Sequence, residues 1–561
     1  MITRVKLLFD LIGPRTLAHF DARCLHPMRQ QEALLRALLD ENAGTAFGRR
    51  HQFGSIDSFS GFQKQLPLTE YEDIEPFVEA ARRGEPDQLT RARPVFYAMT
   101  SGTTGPAKFI PVTDASRRAK AGVMRLWLSG VMRDHPEVME GAILQPASPE
   151  IETRAADGTG CGSEGGHAYR NMPKVMRGMY PVPYEVSEIP DYRARYYAML
   201  RIAVMHSIRV IGTPNPSTIL LLARELSART EQLVRDVRDG TLDPVLGLPP
   251  HIRRQLEGGL RPDRARARAL EQAAAAGGGR LLPRHVWPEM ALLACWKGGT
   301  VGPYLDQLAP YYREGLPVRD LGWLASECRG SVPLSDEGDA GPLAVATNVY
   351  EFFPAETDRK PRPTDLLTVD QVEVGGRYLV YVTTSGGLCR YAMHDIVEVT
   401  GFHLRTPEIR FVQKEKGIVN FTGEKLTETQ VLAAIDETLD QRRTDRTFVA
   451  AIGRPPAVDR EPSYLFLVEY DAPPAGEEGT RTARQLDQAL CRHNIEYAAK
   501  RKSGRLGPAV LRVLEPGQFD AFERQELQRG ARDGQFKVLR LVADQQFAER
   551  FPRVVRDYAG A

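Results

Sequence analysis

The chain has 561 residues, too many for one hydrophobic core, because cores stop growing at roughly 250 to 300 residues and longer chains divide into domains. Its 74 Lys and Arg residues nearly balance 72 Asp and Glu residues, so the formal charge of +2 gives no broad positive field for nucleic acid. The six cysteines form no CxxC pair, which argues against a zinc site or a disulfide framework and favours a reducing cytoplasm. No stretch approaches the roughly 20 apolar residues that span a bilayer, so we expect no stable membrane insertion.

Helical patterns dominate the beginning of the chain. Residues 1–12 carry apolar side chains at helical spacing but are interrupted by Lys6 and Asp10, which predicts a surface helix and not a signal peptide. Residues 30–39 place four leucines on one helical stripe, and residues 71–83 repeat the amphipathic pattern. The N-terminal part is therefore predicted to be mainly helical.

Helices and strands alternate in the middle of the chain. A helix is predicted to start at Ser217 and to end at Gly240, and a second, exposed helix lies within 261–280. Residues 290–295 form a short apolar run, and residues 378–384 are rich in β-branched and aromatic side chains, so both predict strands. This alternation indicates an α/β fold.

The pattern changes after about residue 412. Strand-like segments at 447–452, 464–470 and 509–514 surround a predicted helix at 483–500. These elements are sufficient for a separate small domain. We therefore predict a large domain over residues 1–412 and a small C-terminal α/β domain over residues 413–561.

A loop between residues 97 and 108 is the most informative segment. Its glycines let backbone N–H groups approach phosphate oxygens, its hydroxyl side chains can donate hydrogen bonds, and its last residue is a lysine. The residues predicted to bind phosphate are Ser101, Gly102, Thr103, Thr104, Gly105 and Lys108. The spacing does not fit a Walker motif, because the glycines are too close together and no Ser or Thr follows the lysine. A simple polar turn is the alternative.

Several segments, in the same order along the chain, resemble the Gretchen Hagen (auxin-responsive) acyl acid amido synthetases, a family of adenylate-forming enzymes. The resemblance runs nearly end to end and rests on residues 68–76, 84–86, 97–108, 304–317, 324–328, 348–354, 383–395 and 534–540. It implies a large ATP- and acyl-acid-binding domain with mixed sheets and helices, and a small mobile C-terminal domain.

The resemblance implies that two of these segments line the nucleotide site. Ser326 and Glu327 fall in one, and Tyr350 and Glu351 in the other. A tyrosine ring can stack on adenine and a carboxylate can hold the Mg²⁺ that bridges phosphates. Either glutamate could bind the metal, with Glu351 preferred, and strand core is the alternative for Tyr350.

Asp395 is implied to bind the ribose of ATP, since an ionised carboxylate can accept hydrogen bonds from both ribose hydroxyls. The chain departs from the family next to this residue. It carries Ala392 where the family usually has Arg and His394 where it usually has Gly. A structural histidine is preferred to a catalytic one, because no partner acid or nucleophile is evident in the sequence.

Two further lysines are candidates by resemblance. Lys425 follows the hinge segment 411–417 and is expected near nucleotide or substrate, with an exposed lysine as the alternative. Lys537 lies in the C-terminal segment that delivers a lysine to the adenylation site in the family. A cation there would offset the charge that develops between the attacking carboxylate and the α-phosphate. A solvated strand-edge lysine is the alternative.

The resemblance implies an enzyme that uses Mg-ATP to activate a small carboxylic acid as an acyl-adenylate. The acyl group then passes to an amine, expected to be an amino acid, with release of AMP. A thiol such as coenzyme A or an alcohol is the alternative acceptor, and an inactive nucleotide- or acid-binding relative is the second alternative. We expect a cytoplasmic monomer with no nucleic-acid partner.

Overall fold

The fold comes from a computed structural model in which two compact units divide the chain, Met1–Phe411 and Val412–Ala561. The boundary lies one residue before the predicted one. Both units combine helices with sheets, which confirms the predicted α/β class. The structure describes residues 2–100, 108–298, 305–357, 359–415, 417–419, 424, 426–439, 446–454, 461–502, 506–528, 540–542 and 544–560.

The described helices of the first unit precede its largest sheet in the chain. They are α1 (Ile2–Cys24), α2 (Pro27–Asn42), α3 (Ala46–Arg50), α4 (Phe59–Gln65), α5 (Tyr71–Arg82), α6 (Asp114–Asp134), α7 (Glu164–Arg170), α8 (Lys174–Arg177), α9 (Tyr192–Ala203), α10 (Pro216–Ala228), α11 (Thr230–Asp239), α12 (Pro250–Gly259), α13 (Arg264–Ala276) and α14 (Pro283–Val286). As predicted, α2 buries Leu35, Leu38 and Leu39 on one face, and α5 buries Ile74 and Val78.

One predicted helix is two helices in the structure. The segment expected to run unbroken from Ser217 to Gly240 is divided between α10 and α11. At the break, the Thr230 hydroxyl donates to the Ser227 carbonyl at 2.8 Å and accepts from the Leu281 backbone N–H at 2.9 Å. Gly240 ends α11 with φ of +70°, a conformation that glycine adopts without steric cost.

Three sheets form the framework of the first unit. Its described strands are β1 (Phe96–Thr100), β2 (Lys108–Val112), β3 (Ala142–Leu144), β4 (Thr153–Arg154), β5 (Gly160–Gly162), β6 (Ile208–Gly212), β7 (Leu292–Ala294), β8 (Val318–Arg319), β9 (Gly341–Pro342), β10 (Asn348–Pro354), β11 (Arg377–Thr384), β12 (Tyr391–His403) and β13 (Thr406–Lys414). The strand orders are β2-β1-β5-β4, β3-β6-β7-β8 and β10-β11-β12-β13-β9. The second sheet is parallel throughout its described pairs.

A large apolar core joins the N-terminal helices to two of these sheets. Leu35 of α2, Phe62 of α4 and Ile74 of α5 pack in one cluster with Tyr97 of β1 and Val380 of β11. Burying such side chains is the main favourable term in folding. The core therefore fixes the positions of the strand ends and turns that carry the predicted site residues.

The second unit is built on one mixed sheet. Its described helices are α15 (Glu428–Leu439), α16 (Gly476–His493), α17 (Ile495–Lys502) and α18 (Gln518–Gln528), and its strands are β14 (Ile418–Val419), β15 (Leu426–Thr427), β16 (Arg446–Arg454), β17 (Ser463–Tyr470), β18 (Val510–Leu514), β19 (Leu541–Val542) and β20 (Val554–Ala559). The large sheet has the order β19-β16-β17-β18-β20, and β14 pairs with β15. The helix predicted at 483–500 is interrupted by Asn494, whose side-chain oxygen accepts from the Tyr497 N–H at 2.8 Å.

Across the helices that the structure describes, none combines the length and the apolar character that a membrane crossing requires.

Candidate active site

A small cavity lined mainly by polar and charged residues lies in the first unit, where four segments that are distant in sequence meet. The start of α6, a turn before β10, the beginning of β10 and the end of β11 each contribute to its wall. The lining residues are Ser116, Ala119, Lys120, Glu327, Arg329, Thr347, Asn348, Thr384 and Ser385. A concave site with several convergent polar groups is the default candidate for ligand binding.

The start of α6 is held at the cavity by its N-terminal cap. Thr113 and Ser116 form a capping box, in which each side chain accepts from the backbone N–H of the other. The Thr113 hydroxyl also donates to the Ser385 carbonyl at 2.9 Å. This bond connects the helix start to the turn that follows β11, and so brings two walls of the cavity together.

Glu327 lies in a tight turn that reaches the cavity. The Ala325 N–H donates to the Cys328 carbonyl at 2.8 Å, which closes the turn around Ser326 and Glu327. From α6, Lys120 donates to the Ser326 carbonyl at 2.6 Å. The structure therefore brings the predicted Ser326–Glu327 segment to the cavity and fixes its backbone with a lysine that the sequence analysis did not single out.

Two cations face this turn, and they differ in their partners. Lys120 pairs with Glu164 at 3.0 Å, and both side chains are largely buried. Arg329 also lines the cavity, but no ion pair or side-chain hydrogen bond joins its guanidinium to any residue that the structure describes. Burial lowers the pKa of Arg329, and the negative charge of Glu164 opposes this shift.

Tyr350 is in the strand core and not at the cavity surface. Its side chain is fully buried, and its ring centre is 6.3 Å from that of Trp323. The hydroxyl accepts from the Asn348 side chain at 3.0 Å and donates to the Gly330 carbonyl at 3.2 Å. The ring has no exposed face on which adenine could stack, so this placement favours the core alternative.

Glu351 is likewise enclosed by protein groups. Arg390 donates to both of its carboxylate oxygens, at 2.8 and 2.9 Å, and Gln63 donates to one of them at 3.0 Å. The Arg390 guanidinium, which is fully buried, also donates to the carbonyls of Gln63, Leu66 and Pro363. These donors occupy the oxygens of Glu351, which is therefore the partner of a buried arginine. This placement differs from the metal-ligand role that the sequence favoured for Glu351.

Asp395 lies on β12 near the Glu327 turn. It is buried, and the Trp323 indole N–H donates to it at 2.8 Å. Burial raises the pKa of the Cys328 thiol, and the charges of Glu327, Lys120 and Asp395 also act on it, so these groups share one neighbourhood. The structure therefore brings the predicted ribose ligand close to the cavity wall.

His394, which precedes Asp395, keeps a backbone conformation that suits glycine. Its φ is +52°, in the left-handed region that non-glycine residues rarely adopt. Its imidazole pairs with Glu70 at 2.6 Å. The chain thus holds a histidine in a backbone conformation that glycine adopts at lower steric cost.

The predicted phosphate loop is represented only by its flanking strands. β1 and β2 pair antiparallel, with Thr100 opposite Lys108, so the ends of the loop are adjacent. The Lys108 ammonium lies 5.2 Å from the centre of the Tyr71 ring. Seven predicted site residues lie outside the described part of the chain: Ser101, Gly102, Thr103, Thr104, Gly105, Lys425 and Lys537.

Among the residues that the structure describes, no cluster of three or more His, Cys, Asp or Glu side chains could hold a metal ion. A Mg²⁺ site of the kind expected here does not need such a cluster. Mg²⁺ is commonly bound through one or two carboxylates together with substrate phosphates and water. Glu327, at the cavity, fits that arrangement.

Comparison with known proteins identifies three successive stretches as domains of one family. Residues 16–318 match the GH3 family N-terminal domain, residues 342–414 the GH3 family central domain and residues 429–546 the GH3 family C-terminal domain. The chain belongs to the GH3 family. This is the family that the sequence resembles, and the prediction of an acyl acid amido synthetase is thereby confirmed as the enzyme class.

Plant proteins of the GH3 family match nearly the whole chain. The "Probable indole-3-acetic acid-amido synthetase GH3.2" of Oryza sativa subsp. japonica is 25% identical over 544 residues, covering 91% of this chain and 88% of its own. The "Jasmonoyl--L-amino acid synthetase JAR4" of Nicotiana attenuata is 24% identical, covering 91% of this chain and 90% of its own. The solved structure "AtGH3.15 acyl acid amido synthetase in complex with 2,4-DB" has a TM-score of 0.84 at 20% identity and covers 98% of this chain and 97% of its own.

Three charged residues of this GH3 chain were missed by the sequence analysis. Lys120 and Arg329 line the cavity, and Arg390 forms an ion pair with Glu351. Arg390 lies in a segment that carries the family resemblance, as a charged residue among Cys389, Tyr391 and Ala392, and Arg329 directly follows another such segment. That contrast was the available signal, because charged side chains are rarely buried unless they are paired.

Proposed function

We propose that this GH3 chain activates a small carboxylic acid with ATP and transfers the acyl group to an amino acid. In the first step a carboxylate oxygen attacks the α-phosphorus of ATP, and the bond to pyrophosphate breaks. In the second step an amine attacks the acyl carbonyl, loses a proton, and displaces AMP to leave an amide. The observation that carries the proposal is the polar cavity in which the Glu327 turn, the start of α6 and the end of β11 converge.

The proposed roles follow from where the described residues lie. Glu327 would hold Mg²⁺, which would neutralise phosphate charge when bound. Lys120 orients the Glu327 turn through its bond to the Ser326 carbonyl. Asp395 would accept from the ribose hydroxyls, with the Trp323 indole fixing its carboxylate.

The remaining predicted residues keep their proposed roles on the strength of the family resemblance. The loop from Ser101 to Gly105 would bind phosphate together with Lys108. Lys537 would offset the charge that develops during adenylation, and Lys425 would lie near nucleotide or substrate. A preorganised cation at such a position contributes on the order of a hundredfold in rate.

An amino acid is the proposed acceptor because relatives that match nearly the whole chain are named for amide formation. A thiol or an alcohol would use the same adenylate and is distinguished by the product. We further propose that the chain is cytoplasmic, since all six cysteines are free and five of them are buried. A monomer stays our expectation for its oligomeric state.

The test is pyrophosphate release by the purified chain with Mg-ATP and a broad panel of carboxylic acids, with and without pooled amino acids. Products are identified by mass spectrometry. We expect an amide and AMP to appear together. An adenylate that reacts only after a thiol or an alcohol is added would assign a different acceptor, and no turnover with any acid would favour the inactive relative.

A further inference from the structure

Arg329 is a cation in the cavity wall that makes no direct ion pair with a described protein anion, although the charge of Glu164 acts on it. No ion pair or side-chain hydrogen bond joins its guanidinium to any described residue, whereas its neighbour Lys120 is neutralised by Glu164 at 3.0 Å. Withdrawing an unpaired charge from water is unfavourable unless a partner compensates it. In a ligand cavity, this arrangement points to an anion that arrives with the ligand.

The surroundings of Arg329 suit a carboxylate. A guanidinium presents N–H groups in a planar fork that matches the two oxygens of a carboxylate. Thr384 and Ser385 add hydroxyl groups to the same wall, whereas the Ser116 and Thr347 hydroxyls already donate to backbone carbonyls.

The carboxylate that becomes adenylated is a poor candidate for this partner. It loses its negative charge when it forms the mixed anhydride with AMP. A fixed cation that binds it strongly beforehand would stabilise the ground state more than the transition state and would slow the step. A carboxylate that stays ionised through both half-reactions does not have this disadvantage.

We propose that Arg329 binds a substrate carboxylate that does not react. Two sources share this chemistry: the α-carboxylate of an acceptor amino acid, and a second carboxylate on the acyl acid. The inference rests on the proposed function for the identity of the substrates. It adds Arg329 as a residue that would make the binding of one substrate depend on that substrate's negative charge.

The test measures binding to the full-length chain and needs no turnover. Thermal-shift titrations in the presence of AMP and Mg²⁺ compare alanine with alaninamide and succinate with monomethyl succinate. Each pair differs mainly in one negative charge. The proteins are the wild type, Arg329→Met, Arg329→Lys and the matched control Arg118→Met, an exposed arginine on α6.

We expect the wild type to bind the more negatively charged member of one pair more tightly. Losing one side of a buried charge pair typically weakens binding by about 30-fold or more, so Arg329→Met should largely abolish this preference. Arg118→Met should keep it, and Arg329→Lys should keep part of it. A preference for alanine over alaninamide assigns the carboxylate to the acceptor, and a preference for succinate over its monomethyl ester assigns it to the acyl acid.

Two results would overturn the inference: equal binding of both members of each pair by the wild type, or a preference that survives in Arg329→Met. If Arg329→Met does not fold, the wild-type comparison and Arg329→Lys decide the matter. Failure of the proposed function is seen separately, as absence of pyrophosphate release by the wild type with every acid.

Discussion

Glu327 and Glu351 were both candidate metal ligands in sequence, with Glu351 preferred, and the structure places them in different surroundings. Glu351 is enclosed by Arg390 and Gln63, which donate to its oxygens. Glu327 sits in a tight turn that lines the cavity. The comparison teaches that a buried carboxylate surrounded by protein donors has a structural role, whereas a carboxylate in a cavity wall can contact a ligand.

The largest expected effect is a loss of stability when the ion pair between Arg390 and Glu351 is broken. Arg390→Met leaves Glu351 buried without its counter-charge, and removing one partner of a buried ion pair costs about 3–5 kcal/mol. All four tryptophans lie in the first unit, so urea unfolding followed by tryptophan fluorescence reports on that unit alone. The matched control is Arg362→Met, because Arg362 is exposed and its ion pair with Asp365 contributes little.

The double variant Glu351→Leu with Arg390→Met sharpens this result. It removes both charges, so it should recover much of the stability that Arg390→Met loses. The structural role of Glu351 would be contradicted if Glu351→Gln left the unfolding curve unchanged and abolished the Mg²⁺ dependence of pyrophosphate release.

The next effect is on turnover. Glu327→Gln removes the carboxylate proposed to hold Mg²⁺, and we expect pyrophosphate release to fall by about 100-fold, with little change in unfolding. The measurement is initial rate against Mg²⁺ concentration. Glu337→Gln is the control, since Glu337 is exposed on the surface and outside the cavity lining. A Glu327→Gln variant with the wild-type rate and Mg²⁺ dependence would exclude this role.

The smallest effect concerns the strained residue beside Asp395. Both His394→Gly and His394→Ala lose the pair with Glu70, but only glycine adopts a φ of +52° without a steric cost. His394→Gly should therefore be more stable than His394→Ala by about 1 kcal/mol. Urea unfolding of the two variants measures the difference, and equal stability would show that the backbone at this position is not strained.

Local pattern predicted much of the fold. The apolar stripes of α2 and α5 and the β-branched run of β11 were visible in sequence and form the expected elements. The breaks at the start of α11 and at Asn494 were not predicted, because residues there are compatible with helix. At each break one hydrogen bond joins residues distant in the chain: the Leu281 N–H donates to Thr230, and the Asn494 side chain donates to the Glu424 carbonyl.

The site was only partly predictable for the same reason. The resemblance located Ser326, Glu327 and Asp395, which the structure brings into one region. Pattern could not reveal that Lys120 holds the Ser326 carbonyl, since the two residues are 206 positions apart. It also could not separate Glu327 from Glu351, because the cavity beside Glu327 and the Arg390 pair at Glu351 are assembled from residues distant in the chain.

The network around Arg390 also constrains how the chain acquires its structure. Two of the carbonyls that Arg390 binds, those of Gln63 and Leu66, are 327 and 324 positions earlier in the chain. Closing a loop of that length costs entropy before the contact contributes, which slows folding of such topologies. During synthesis, the segment around Gln63 therefore emerges from the ribosome long before its partner. The first unit can complete this part of its core only after residue 390 has been made.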